Sequence, residues 1–192
     1  MTNIYFVRHA LPLYSWHDAA TRPLTEEGWR DVREVVKLFK DIPLDYAVTS
    51  PYVRSINTIQ DTARAKGLEI HTDSRLRERK NGKNSNHLAM FRKRWADFSF
   101  CEPDGESLGS VQKRNIEAVF ELLDEHKNEN IIVGTHGTAL STILHYFDPT
   151  FGLEGFLRII DFMPYVIRLG FEDHSCIERE ELLIVEKEFN PK

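Results

Sequence analysis

Two apolar runs in this chain end the same way. "NIYFVRHA" places Ile4, Tyr5, Phe6 and Val7 directly before Arg8 and His9, and "NIIVGTHGT" leads from Ile131, Ile132 and Val133 to His136 and Gly137. A short continuous apolar run reads as a buried strand. Burying it gains about 25 cal/mol per Å2 of apolar surface, whereas an unpaired arginine inside costs several kcal/mol. The polar residues therefore belong at the strand ends, facing a partner.

Helical patterns separate these runs. "PLTEEGWRDVREVVKLFKDI" offers Thr25 as N-cap and Glu26 and Glu27 in the first turn, then Trp29, Val32, Val35, Val36 and Phe39 at helical spacing. "LDYAVTSPYVRSINTIQDTARAKG" reads as a strand ending near Thr49, a Ser50 cap with Pro51 at the first helical position, and a helix closed by Gly67. "LEIHTD" is a further short strand, and Ser107 caps a helix carrying Leu108, Val111, Val119, Leu122 and Leu123. "YVIRLGF" and "IEREELLIVEKEF" read as late strands, a hairpin at the sheet edge.

This alternation predicts an α/β fold, a three-layer sandwich with a mostly parallel central sheet and helices on both faces. Residues 1–192 read as a single domain, with 75–105 a cap-like excursion. A chain of 192 residues, 41% hydrophobic, can bury a core without staples. Cys101 and Cys176 match no metal or disulfide spacing, which points to free thiols and a cytoplasmic location. No stretch reaches the roughly 18 uncharged residues of a spanning helix, and a net charge of −5 argues against nucleic acid as a main partner. The patterns leave the oligomeric state unspecified.

Open sheets of this kind bind ligands at the carboxyl ends of their strands, where Arg8, His9, Ser50 and His136 fall. A lone histidine is more often an ordinary residue than a catalyst. Here three strand ends converge: Arg8 and His9 on one, Arg54 in the helix after a second, His136 and Gly137 after a third. Free N–H groups at a helix start and two forked guanidinium groups suit a phosphoryl dianion. Arg8 and Arg54 disfavour protonation of His9, keeping a lone pair for in-line attack, and a protonated His136 adds a donor. No metal is required by this chemistry, and no cofactor is expected.

In this order and spacing, "VRHA", "PLTEEG", "TSPYVRSINT", "LRER" followed by Gly82, "DGES" and "VGTHGT" resemble the histidine phosphatase superfamily, in its phosphoglycerate-mutase-like branch. The resemblance covers Ile4 to about Leu144. It implies a phosphohistidine on His9, a phosphate pocket of Arg8, Arg54 and His136, and Glu78 as proton donor to the leaving group. A glutamate between Arg77 and Arg79 otherwise reads as a solvated surface residue, and Glu106 is the competing acid.

The chain departs from the family at three places. Ala10 replaces a common glycine. Ser15, which can still bond phosphate, stands for an asparagine. Asn84, Ser85 and Asn86 stand where Trp–Glu–Gly is frequent. The segment from Arg79 to Phe100 mixes basic and aromatic residues and is read either as a solvated basic face or as a cap over the leaving group. In the second reading Arg79 and Lys83 face Trp16 and His17 across a substrate pocket. The function expected is hydrolysis of a small phosphorylated metabolite, with no membrane or nucleic-acid partner. A phosphoglycerate-type mutase and a non-catalytic phosphate-binding module are the alternatives.

Overall fold

The computed structural model describes residues 1–83 and 86–188; Asn84 and Ser85 of the departing triplet lie outside them. The apolar runs become the middle of a six-stranded sheet ordered β3-β2-β4-β1-β5-β6. Its strands are β1 (Thr2–Arg8), β2 (Tyr46–Thr49), β3 (Ile70–Thr72), β4 (Asn130–Thr135), β5 (Phe162–Glu172) and β6 (Ser175–Glu186). The helices are α1 (Glu26–Leu38), α2 (Val53–Ala65), α3 (Leu88–Ala96), α4 (Leu108–Glu125), α5 (Gly137–Phe147) and α6 (Leu153–Ile159).

Alternate residues of the central strands point to opposite faces. Ile4, Phe6, Ile131 and Val133 join Val119 of α4 and Leu140 and Ile143 of α5 in one apolar cluster. Tyr5, Val7 and Ile132 join Val35 of α1 and Ile59 and Ala63 of α2 in another. Both faces are thus covered, which is why these strands read as continuous apolar runs.

The sheet is mixed. β1 to β4 pair in parallel, but β5 runs antiparallel to β1 and β6 antiparallel to β5. A mostly parallel sheet was the expectation. The late hairpin departs from it because adjacent antiparallel strands need only a tight turn, here with Asp173 at φ 49°. Of the two hairpin strands β6 lies at a sheet edge, with β3 at the other; β5 lies inside, between β1 and β6.

Thr25 caps α1 as expected, accepting from Gly28 N at 2.9 Å. Gly28 is needed there, since a Cβ would stand 2.4 Å from the Leu11 carbonyl oxygen. Ser107 caps α4, and Gly67 follows α2 at φ 69°. Ser50 is not the cap of α2. That helix starts at Val53 with Tyr52 as N-cap, and the Ser50 hydroxyl is turned toward a histidine instead.

Two helices were not legible. α3 lies inside the stretch that reads as irregular: His87 at its N-cap makes no side-chain bond, and Arg92, Lys93 and Arg94 break its apolar pattern. α6 is seven residues long and also lacks a side-chain cap bond. Among the described residues no helix is long and apolar enough to cross a membrane.

Candidate active site

Strand register assembles the site. Arg8 pairs with Thr135 across β1 and β4, and Thr49 with Gly134 across β2 and β4, so the residues that follow emerge side by side. These are His9, Ser50 and His136. Backbone bonds from His9 N to Thr135 O (3.1 Å) and from Ser50 N to Gly134 O (3.0 Å) extend the ladder to the residues themselves.

His9 is 5% exposed. Its Nδ1 lies 2.8 Å from the Ala10 carbonyl oxygen, which can only accept, so the proton sits on Nδ1 and Nε2 keeps its lone pair. The Ala10 N–H donates to Thr58 Oγ1 at 3.0 Å, which fixes the turn that carries the ring. Burial, then the charges of Arg54 and Arg8, hold the His9 pKa well below that of a free imidazole.

Both expected arginines are buried. Arg8 donates from one terminal nitrogen to Ile159 O at 2.5 Å, while its Nε has no partner among the described residues. A Cβ on Gly137 would lie 3.1 Å from the Arg8 Cζ, so the glycine lets the guanidinium lie against the start of α5. Arg54 donates to Ala19 O at 2.5 Å and stands over the Tyr52 ring at 5.0 Å. Burial lowers its pKa to about 10, with Glu78 opposing, so it stays cationic at neutral pH.

His136 is fully buried, with its ring 5.2 Å from that of His9. Its Nε2 is 2.7 Å from Ser50 Oγ, and its Nδ1 has no partner among the described residues. Burial, then Arg54, His9 and Arg8, lower its pKa well below the imidazole range. The ring is therefore neutral at physiological pH, so the donor that a protonated His136 would add is not supplied by charge.

The start of α5 is not free either. The Glu78 carboxylate accepts from Thr138 N and Ala139 N, each at 3.1 Å, and from Arg79 N at 2.8 Å. The helix start that was expected to hold phosphate is thus shared with a carboxylate. Glu106 is spent elsewhere: it bonds Arg114 (2.8 Å) and Arg77 (3.0 Å) and accepts from Lys80 N. Burial raises its pKa, but the bonds from Arg114 and Arg77 prevail and hold it at about 2. An acid of that strength carries no proton at neutral pH. Arg114, not singled out in the sequence, also donates to the carbonyls of Arg75, Arg77 and Glu78, and so fixes the loop bearing Glu78.

Arg8, His9, Arg54, Glu78 and Gly137 line one cleft of about 460 Å3. Arg79 lines it too, although its guanidinium is turned to buried Glu102 (3.2 Å) and to Glu106 O (2.9 Å), and Glu102 is shared with Arg94. Ser15, Trp16, His17, Lys83 and the fully buried His136 are not among the lining residues. Asp18 folds their loop into a turn by accepting from Ala20 N, Thr21 N and Thr21 Oγ1. That turn leaves Ser15 and His17 exposed and draws the Trp16 indole to Thr21, 3.1 Å away. Lys83 is exposed and reaches Asp104 at 3.8 Å. From the same loop Tyr14 and Arg22 line the cleft instead, facing Phe91 and Phe156, whose rings meet edge-on at 5.2 Å. Their loop positions carry no periodic signal, so sequence reasoning missed them.

Residues 4–176 match the model of the histidine phosphatase superfamily, branch 1. A relative from Erwinia tasmaniensis, described as probable phosphoglycerate mutase GpmB, is 27% identical over 161 residues, covering 75% of this chain and 74% of its own. YhfR of Bacillus stearothermophilus superposes with a TM-score of 0.77 at 24% identity, over 92% of this chain and 95% of its own. Phosphoserine phosphatase of Entamoeba histolytica, solved with 3-phosphoglyceric acid, gives 0.77 at 18% identity over 98% of each chain.

Proposed function

The chain belongs to branch 1 of the histidine phosphatase superfamily, and on that premise we propose that it hydrolyses a small phosphomonoester through a phosphohistidine at His9. The observation that carries this reading is the His9 ring: buried, neutral, with Nδ1 committed to Ala10 O, in a cleft that two buried arginines also line. Binding alone would need no such nucleophile.

In the first step the Nε2 lone pair forms the N–P bond as the P–O bond to the leaving group breaks, and Glu78 gives its proton to the departing alkoxide. Arg8 and Arg54 balance the charge on the phosphoryl oxygens, and no metal or cofactor enters. In the second step water attacks phosphorus, the N–P bond returns its electrons to Nε2, and the Glu78 carboxylate takes the proton from water. Residues 75–105 act as a cap that shapes the leaving-group side through Arg79, Lys80 and Phe91. A small phosphorylated metabolite is the substrate class, and the cytoplasm the location.

The names of the relatives keep a mutase in view, in which a substrate hydroxyl replaces water in the second step. Release of inorganic phosphate from 3-phosphoglycerate, against its conversion to 2-phosphoglycerate, separates the two. The phosphoenzyme is tested by quenching turnover without acid and mapping the labelled peptide. His9→Ala should abolish turnover and labelling yet still bind vanadate; activity near that of the parent overturns the reading.

A further inference from the structure

Ser50 is fully buried, and the sequence pattern that marked it as a helix cap does not account for it. Its hydroxyl accepts from Tyr52 N at 3.3 Å and lies 2.7 Å from His136 Nε2. A buried hydroxyl proton needs an acceptor, and among the described residues His136 Nε2 is the one within hydrogen-bond reach of Ser50 Oγ. The proton of Ser50 therefore goes to Nε2. A neutral imidazole that accepts at Nε2 carries its own proton at Nδ1. Of the two ring nitrogens that is the buried one without a partner among the described residues, and an unpaired buried donor is destabilising. The molecule bears this cost beside Arg8, whose buried Nε is also unpartnered.

We propose that Ser50 is a positioning residue: it fixes His136 as the Nδ1–H tautomer, so that His136 serves the phosphoryl group as a neutral, preset hydrogen-bond donor. The inference rests on the phosphoryl-transfer reading for its purpose, but the tautomer itself is a property of the resting protein. His9 and His136 then share one tautomer by different devices, a carbonyl on Nδ1 in one ring and a hydroxyl on Nε2 in the other. The charges of Arg54, Arg8 and Arg114 act on His136, and the titratable rings of His9 and Tyr52 each lie 5.2 Å from its own. A neutral donor adds no repulsion to that cationic group before substrate arrives, and a dipole fixed in advance needs no reorganisation when charge develops.

The experiment is long-range 1H–15N correlation of the histidine rings in the full-length protein. His136 should show a protonated Nδ1 and a bare Nε2 throughout about pH 5 to 8, the interval in which an ordinary histidine titrates. Inorganic phosphate should shift its Nδ1 resonance. Ser50→Ala should lose the fixed pattern at His136 while leaving that of His9, and Ser50→Thr should restore it. On an alkyl phosphomonoester Ser50→Ala should lower kcat/KM on the order of 10²-fold, the usual effect of losing one preset donor to a developing oxyanion. A wild-type His136 protonated at Nε2, or one that titrates within this interval, overturns the assignment. So does a Ser50→Ala protein that keeps the wild-type ring spectrum. Absence of turnover on every phosphomonoester, with the ring spectrum as expected, would count against the phosphatase reading alone.

Discussion

Glu78 makes the most exacting demand on a single side chain. It caps α5 through Thr138 N and Ala139 N while standing in the cleft as the proposed acid. Glu78→Gln keeps most of the shape and removes the proton. It should slow an alkyl phosphomonoester at least about 10²-fold and p-nitrophenyl phosphate far less, because a good leaving group departs without help. Single-turnover rates on the two substrates make the comparison, and equal losses would reduce Glu78 to a helix cap. The histidines carry a pH prediction. Both have folded pKa values below the unfolded value of about 6.5. Above that pH neither state binds the protons, and the rings contribute full stability. Below it the unfolded chain takes up protons that the folded one refuses, so stability falls with pH, by about 1.4 kcal/mol per pH unit for each ring. Melting temperatures from pH 7 to 5 should drop less steeply in His136→Gln than in the parent. The charged residues at strand ends were legible because a buried strand tolerates them nowhere else. The pairing of Glu106 with Arg77 and Arg114, 29 and 8 residues away in sequence, was not.

Elements with strong local signals matched their patterns: α1 behind Thr25, α4 behind Ser107, and the buried strands of the two repeated runs. α3 and α6 had none, because tertiary contact sustains them. Trp95 of α3 meets Phe98 and Phe156 at centroid distances of 5.5 and 5.7 Å, and the pairing of Phe91 with Phe156 ties the two helices together. The loop before α3 depends on ions. Glu106, 13% exposed with its partner Arg114, joins α4 to the backbone that presents Glu78. Glu106→Gln should cost about 1.5–3 kcal/mol, the range for hydrogen bonds to charged groups, read as a lower urea midpoint. It should also slow alkyl substrates by loosening the acid. Unchanged stability and unchanged kinetics together would mean that Arg114 holds the loop by itself.

At the scale of the whole molecule, the order of strands and helices and the closing hairpin were legible, while the antiparallel direction of β5 beside β1 was not. β5 and β6 close the sheet as a hairpin, and apolar content says nothing of polarity. The site brings together cations, two imidazoles and one carboxylate. Among the described residues no three His, Cys, Asp or Glu side chains stand where they could hold a metal ion. Turnover should therefore survive EDTA unchanged and be inhibited by vanadate; loss on chelation with recovery on adding a divalent ion would require another mechanism. The bond from Arg8 to the Ile159 carbonyl joins β1 to the end of α6, and through Phe156 and Phe91 to α3. In the proposed site, the cation that would hold phosphate and the wall beside the leaving group thus share one lever. On that proposal, esters whose leaving group displaces α3 should show a higher KM than slimmer ones, and equal KM values would sever the link between α3 and Arg8.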